Sequence, residues 1–201
     1  TARQALVFAV ALSLIGFIVL IQFNWATIAV GIASLALVAA YPFAKRYTFW
    51  PQVVLGATFN WGALVGYAAV TGAIGWPALL LYVGALAWTV GYDTIYAHQD
   101  TDDDAMLGLK SSALKLGEKT RPALIAFYGS ALVLWAIALA AAGASGPAYL
   151  ALAAIAGHFA WQIASLDIGD SAICLALFKS NRFVGWLLAA GLLVEILIVA
   201  I

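Results

Sequence analysis

The side chains best suited to chemistry lie in one short stretch, Tyr92-Asp93-Thr94-Ile95-Tyr96-Ala97-His98-Gln99-Asp100-Thr101-Asp102-Asp103-Asp104. Asp100 and Asp104 are spaced i, i+4, so a helix carries both on one face. Asp93, two turns earlier in the chain, joins the same stripe deeper along that helix. Like charges stacked this way repel, and a divalent cation relieves the repulsion. Carboxylate oxygens suit Mg²⁺, which binds through one or two carboxylates and fills its other positions with water and substrate phosphate oxygens. The spacing therefore points to a metal site on Asp100 and Asp104. A solvated acidic loop is the alternative, above all for Asp102 and Asp103. Basic partners stand nearby: Lys45-Arg46 follows Tyr41-Pro42-Phe43, and Lys110 follows the acidic run. Arg clamps phosphate oxygens in bidentate fashion, although Lys45 and Arg46 would also serve as snorkelling anchors at a membrane edge. Lys115, Lys119 and Arg121 read as solvated loop charges.

The elements that position these groups follow from composition. The chain has 201 residues, 66% hydrophobic and 9% charged, with no net charge and a mean hydropathy of +1.04. Soluble domains carry about 25% charged residues, so this chain cannot cover a water-facing globule. The composition excludes a soluble enzyme and a disordered tail, and net neutrality offers no basic patch to a nucleic acid. The single Cys174 excludes an intrachain disulfide framework or thiolate metal cluster. An integral membrane protein is what the composition implies.

Charge-free intervals run over 4–44, 47–92, 122–166 and 183–194. A crossing helix needs about 20 apolar residues, so each of the first three intervals holds two crossings and the tail holds one. Gln22-Phe23-Asn24-Trp25, Thr71–Pro77 and Gly143–Pro147 divide the long intervals, because Gly and Pro interrupt helices and Trp favours the lipid–water boundary. Seven helices are predicted over about 4–21, 26–44, 52–70, 78–97, 123–142, 148–166 and 183–201, in a single transmembrane domain over 1–201. Strands are not expected, since the runs are apolar all round rather than alternating. This layout puts every Lys and Arg at one end, in the amino terminus and the polar cap loops 45–51, 98–122 and 167–182. The positive-inside rule makes that the cytoplasmic side of a bacterial inner membrane or the matrix side of a mitochondrial inner membrane.

Scattered positions invite separate readings. Asn60, inside its helix, lines a cavity or ties two helices together. Gly62-Ala-Leu-Val-Gly66 has the small-xxx-small spacing of close helix packing. His98 reads as a proton carrier or an interfacial surface histidine, and His158 as an interhelical hydrogen bonder. Glu195 reads as a partly hydrated or neutral carboxyl far from the charged end, and Cys174 as a small loop residue. Phe59, Trp61, Tyr67, Trp88 and Tyr92 sit in the helices flanking the polar loops and read as packing or interface residues, or as rings able to stabilise a cation.

The runs Tyr41-Pro-Phe-Ala-Lys-Arg-Tyr-Thr48, Pro51-Gln52, Tyr92–Asp100, Asp103-Asp104, Gly108-Leu-Lys-Ser-Ser112, Leu166-Asp-Ile168 and Lys179-Ser-Asn-Arg182 together resemble the UbiA superfamily of intramembrane prenyltransferases. Within it they resemble the ubiquinone-pathway branch, the 4-hydroxybenzoate polyprenyltransferases. The resemblance covers nearly the whole chain. It implies an all-α integral membrane fold, with about seven of the nine helices of a UbiA-type bundle around a central cavity. It implies a Mg²⁺-dependent reaction in which a polyprenyl diphosphate loses its diphosphate and alkylates 4-hydroxybenzoate ortho to the hydroxyl. On this resemblance Asp100 and Asp104 would hold Mg²⁺, Arg46 and Asp93 would be catalytic, and Lys45, Arg46, Lys110 and Asn60 would bind substrate. The family's first aspartate-rich motif has no counterpart here, since nothing before Asp93 is acidic. The resemblance thus makes this chain the carboxy-terminal part of such an enzyme, inactive by itself. The rival readings are a non-catalytic membrane subunit or split partner, and a small cation transporter.

Overall fold

The computed structural model describes residues 1–199. Its described residues are mostly helical and contain no strand. The amino-terminal hairpin is α1 (Ala2–Leu20) and α2 (Trp25–Ala40), which a single 3₁₀ turn at Tyr41–Phe43 links to the short α3 (Ala44–Tyr47). Next come α4 (Pro51–Phe59), α5 (Gly62–Thr71) and the long α6 (Trp76–Ala97). The cap segment forms α7 (Thr101–Met106) and α8 (Ser112–Leu116), and the chain closes with α9 (Thr120–Ala141), α10 (Gly146–Ser165), α11 (Ser171–Ser180) and α12 (Arg182–Val199). Seven helical segments among the described residues are long and apolar enough to cross a membrane, as the charge-free intervals predict. Residues 200 and 201, the end of the expected seventh helix, lie outside the described residues.

Where the expected crossings were uniform, the structure breaks one of them. The third divides at Asn60-Trp61 into α4 and α5, while the seventh is α12, which a second division at Asn181 separates from α11 in the expected cap. The segments expected as cap loops are largely helical. Residues 98–122 hold a 3₁₀ turn, α7, α8 and a second 3₁₀ turn, while 167–182 is mostly α11. The first division has a visible cause: the Asn60 amide donates to the Gly56 carbonyl in its own helix at 2.8 Å, to the Ala85 carbonyl at 3.2 Å and to Thr89 Oγ1 at 2.8 Å. Asn60 thus fastens the junction to α6 and accounts for the helix end there.

α6 is the axis of the bundle, with α4, α9 and α11 packed on it. Lipid is as apolar as the side chains, so close packing and polar ties hold such helices together. Tyr128 and Phe159 stack at 4.1 Å within a fully buried cluster that includes Trp135, Leu124 and Ile155. Gly84 and Gly91 permit this approach, since a Cβ on either would meet the Trp135 or Tyr128 ring at 2.6 or 2.5 Å. A buried polar chain runs through the same layer. Tyr128 donates to Gln162 Oε1 at 2.7 Å, Gln162 Nε2 donates to Ser180 Oγ at 2.8 Å, and His158 Nε2 lies 3.1 Å from Ser180 Oγ. His158 is the interhelical bonder its setting suggested. Gly62 and Gly66 are not close-packed: an added Cβ at either meets nothing within 4 Å, so their spacing does not bring two helices together here.

The two ends of the bundle differ in chemistry. At one end Asn24 donates to the Ala68 carbonyl at 2.8 Å, and Glu195 accepts from the backbone amides of Ser145 and Ala148. Glu195 is 7% exposed and caps the start of α10, which corrects the expectation of a hydrated or neutral carboxyl. At the other end lie Lys45, Lys110, Arg121 and the acidic run. Arg121 is not a free loop charge, because its Nη2 donates at 2.8 Å to the Leu166 carbonyl, the C-cap of α10, a favourable place for a cation. Cys174 is buried inside α11 rather than in a loop. His98 is likewise buried rather than at the surface, with Nε2 at 2.8 Å from Thr120 Oγ1.

Candidate active site

Local chain geometry builds the polar end. α7 finishes in a Schellman turn: Gly108 adopts φ +65°, Leu109 N–H donates to the Asp104 carbonyl at 2.8 Å and Gly108 N–H to the Ala105 carbonyl at 3.2 Å. The turn aims the next peptide at α3, where Lys110 N–H donates to the Lys45 carbonyl at 2.9 Å. With the two backbones joined, the Lys45 ammonium reaches both carboxylate oxygens of Asp104, at 3.0 and 3.1 Å. Asp104 is only 4% exposed. A buried carboxylate requires a partner, and Lys45 supplies it. The Lys45 side chain keeps 42% of its surface accessible, so it spans the protein and an aqueous or ligand-filled space.

That space is a cavity of about 320 Å³ lined by Tyr41, Pro42, Lys45, Arg46, Pro51, Gln52, Leu55, Asp93 and Leu109. Residues from α3, α4, α6 and the turn after α7 therefore converge on it. α4 is drawn onto α6 at Gly56, where an added Cβ would lie 3.2 Å from the Leu86 carbonyl oxygen and 3.2 Å from Thr89 Cβ. One turn toward the polar end, that contact sets Gln52 and Asp93 on the cavity wall. Thr94 and Ser112, joined by a 2.6 Å hydroxyl–hydroxyl bond, fix α8 against α6 beneath the cap.

Of the residues singled out in the sequence, Lys45, Arg46 and Asp93 meet at this cavity. Asp104 adjoins it through Lys45, while neither Asp100 nor Asp104 lines it. Asp100 stands at the N-cap of α7 without a side-chain capping bond. Among the described residues no three His, Cys, Asp or Glu side chains gather as a metal cage. Two carboxylates suit Mg²⁺ when water and substrate oxygens complete the shell, but both Asp104 oxygens face the Lys45 ammonium, so Asp104 would have to exchange that partner for the ion. Lys110 is turned elsewhere, with Nζ at 3.3 Å from the Tyr47 carbonyl and 5.4 Å from the Phe49 ring centroid. Asn60 is engaged at the α4–α5 junction and does not line the cavity. Two further polar lining residues, Tyr41 and Gln52, were given no site role in the sequence, although both lie in the runs that carry the family resemblance.

A second hollow, about 550 Å³ and almost wholly apolar, lies between α5, α6, α9 and α12, with Gly62, Gly66, Tyr67, Leu81, Trp135 and Leu192 among its lining. Trp88 and Tyr92 belong to a ring cluster with Trp135 and Phe178, and Trp61 packs edge-on against Tyr82. Of these five aromatics, Tyr67 lines the apolar hollow and none lines the cationic cavity.

An all-helical membrane bundle with a cationic cavity under a helical cap defines the class to compare. The chain matches the profile of the UbiA prenyltransferase family over residues 1–188. It also superimposes on the apo structure of a UbiA homolog from Aeropyrum pernix K1 with a TM-score of 0.82 and 26% identity, over 98% of this chain and 74% of that one. The chain belongs to the UbiA prenyltransferase family. Its curated relatives include proteins named 4-hydroxybenzoate polyprenyltransferase, mitochondrial. The one from Caenorhabditis elegans is 44% identical over 98% of this chain and 56% of its own length. Those from Drosophila melanogaster and Rattus norvegicus are 43% and 46% identical, over 97% and 96% of this chain and 50% and 52% of their own lengths. The chain spans about half the length of these relatives.

Proposed function

We propose that this chain forms the cap-side substrate site of a prenyltransferase that moves a polyprenyl group from its diphosphate to 4-hydroxybenzoate, in a mitochondrial or bacterial inner membrane. The observation that carries the reading is the cavity where two cations and a carboxylate meet, in a chain 43–46% identical to relatives named for this activity. Lys45 and Arg46 hold anionic oxygens of the diphosphate or the aromatic acid. Asp100 and Asp104 would hold Mg²⁺ together with diphosphate oxygens, and the ion supplies Lewis-acid neutralisation of the leaving group. The C–O bond of the donor breaks, the diphosphate takes the electron pair, and the allylic carbon is attacked by the ring carbon ortho to the hydroxyl. Asp93, on the cavity wall, accepts the proton that the ring then loses. Pro42, Leu55 and Leu109 restrict water, which would otherwise capture the cation. The isoprenoid tail lies in the apolar hollow or in lipid. The positive-inside rule supports a cytoplasmic or matrix orientation for the end that carries the Lys and Arg residues.

The test joins this chain to the amino-terminal part of the Drosophila melanogaster relative and assays membranes with polyprenyl diphosphate and 4-hydroxybenzoate. Transfer is expected, and Asp100→Asn and Asp104→Asn are each expected to lower kcat by at least about 100-fold, the scale of losing one main transition-state electrostatic group. Full turnover by either variant contradicts the assignment.

A further inference from the structure

Phe49 stands at the cap end between two crossings, after α3 and just before Pro51 starts α4. It is 38% exposed, and its ring gathers two lysines: the Lys110 ammonium lies 5.4 Å from the ring centroid and the Lys115 ammonium 5.5 Å. Lys110 comes from the turn after α7 and Lys115 from α8, so three segments of the chain meet at one ring. The ring attracts each cation, but two ammoniums held beside it repel one another. No carboxylate relieves them, because the one ion pair among the described residues is Lys45–Asp104. Glu118, the nearest acid along the chain from Lys115, does not share a helix face with it. Gly117, at φ +49°, ends α8 between the two, and Glu118 lines a separate hollow with Arg121 and Asp167. The Tyr47 carbonyl takes one N–H of Lys110 at 3.3 Å, and an ammonium has two more to give.

Charge and position together define the ligand. The cluster calls for an anion, and it is separate from the cationic cavity, whose wall includes Leu109 but not Phe49, Lys110 or Lys115. Its surroundings are those of a membrane edge. Tyr47 beside it is 78% exposed, and Trp50, the next residue after Phe49, packs edge-on against Phe127 of α9. Exposed rings with lysines at the ends of apolar helices are the pattern of the lipid–water boundary. Basic groups between membrane helices on the positively charged side suit anionic headgroups. We infer that Phe49, Lys110 and Lys115 form a binding site for the phosphate headgroup of an anionic phospholipid. The two ammoniums donate to the phosphate oxygens, and the acyl chains lie in the bilayer beside Trp50 and α9. Lys110, which the family resemblance assigned to substrate, binds lipid instead.

The experiment titrates the chain in detergent with phosphatidylglycerol or phosphatidylcholine and counts the lipids that stay bound by native mass spectrometry. The unmodified chain is expected to hold one phosphatidylglycerol in preference to phosphatidylcholine. Lys110→Gln/Lys115→Gln is expected to hold it about 30-fold more weakly, each basic residue near an anionic headgroup contributing roughly fivefold. Lys119→Gln/Lys179→Gln removes the same charge from lysines that do not meet the ring, and is expected to bind as the unmodified chain does. Undiminished affinity in the first variant, or an equal loss in the second, overturns the inference, as does a chain that does not distinguish the two lipids. A large excess of glycerol 3-phosphate is expected to leave the lipid in place; displacement by that soluble ester makes the site one for a free anion and overturns the lipid assignment. A readout independent of any variant is photo-crosslinking with phosphatidylglycerol that carries a diazirine in its headgroup. Attachment is expected within residues 47–50 or 110–115, and attachment confined to other segments contradicts the inference.

Discussion

At the scale of single residues, the polar end rests on a few engaged side chains. Asp104 is buried and depends on Lys45, while Lys45 is half exposed and keeps a face toward the cavity. One ammonium thus holds a structural partner and, on the proposed function, would also meet an anionic ligand. Asn60 shows the reverse case. Its amide is committed to Gly56, Ala85 and Thr89, so its part in binding would be indirect, through the seating of α4 on α6. Asn60→Ala is expected to lower stability by about 1–3 kcal/mol, because the Ala85 and Thr89 acceptors lose a partner. A thermal unfolding series in detergent, followed by the loss of the monodisperse peak in size-exclusion chromatography, measures this. An unshifted midpoint would show that the junction does not depend on the amide.

At the scale of elements, helix ends decide more than helix lengths. The Schellman turn closing α7 brings Lys110 N–H to the Lys45 carbonyl, and that single bond registers the acidic helix against α3. At the opposite end, α10 starts at Gly146-Pro147 and its first amides are capped from α12 by Glu195 rather than by a local side chain. Glu195→Gln removes the charge and one acceptor from that cap. The variant is expected to melt at a lower temperature while prenyl transfer by the joined protein, assayed well below that midpoint, stays unchanged. A loss of turnover at low temperature would mean that Glu195 reaches the reaction rather than the helix end. The seven crossings were legible in the sequence because apolar length reports directly on bilayer thickness. The divisions at Asn60 and Asn181 were not, since each Asn is held by partners on other helices.

At the scale of the whole molecule, two hollows of opposite character occupy one bundle: the cationic cavity at the cap, and the apolar one beside α12. Such a division suits a donor with a charged head and a hydrocarbon tail. Gly62 and Gly66 have open space in front of them and help to form the apolar hollow. Gly66→Phe is expected to fill that space and to raise KM for a long-chain polyprenyl diphosphate by about tenfold, the equivalent of losing contact with roughly two buried methylenes. KM for geranyl diphosphate should hardly change. Equal effects on both donors would place the tail elsewhere.

The amino-acid sequence by itself determined that this chain carries seven membrane-length apolar segments with its basic residues at one end, and which motifs carry its family resemblance. Those properties are sums and spacings along the chain, set by the cost of placing charge in hydrocarbon. It also pointed to Lys45, Arg46 and Asp93, which do share a cavity. Only the tertiary structure decided that Lys110, Asn60 and His98 are held by other parts of the chain, that Glu195 caps a distant helix, and that Gln52 keeps a buried, unpartnered amide oxygen. Whether a polar group is satisfied depends on which atoms other helices bring within about 3 Å of it, and spacing along one helix does not contain that information.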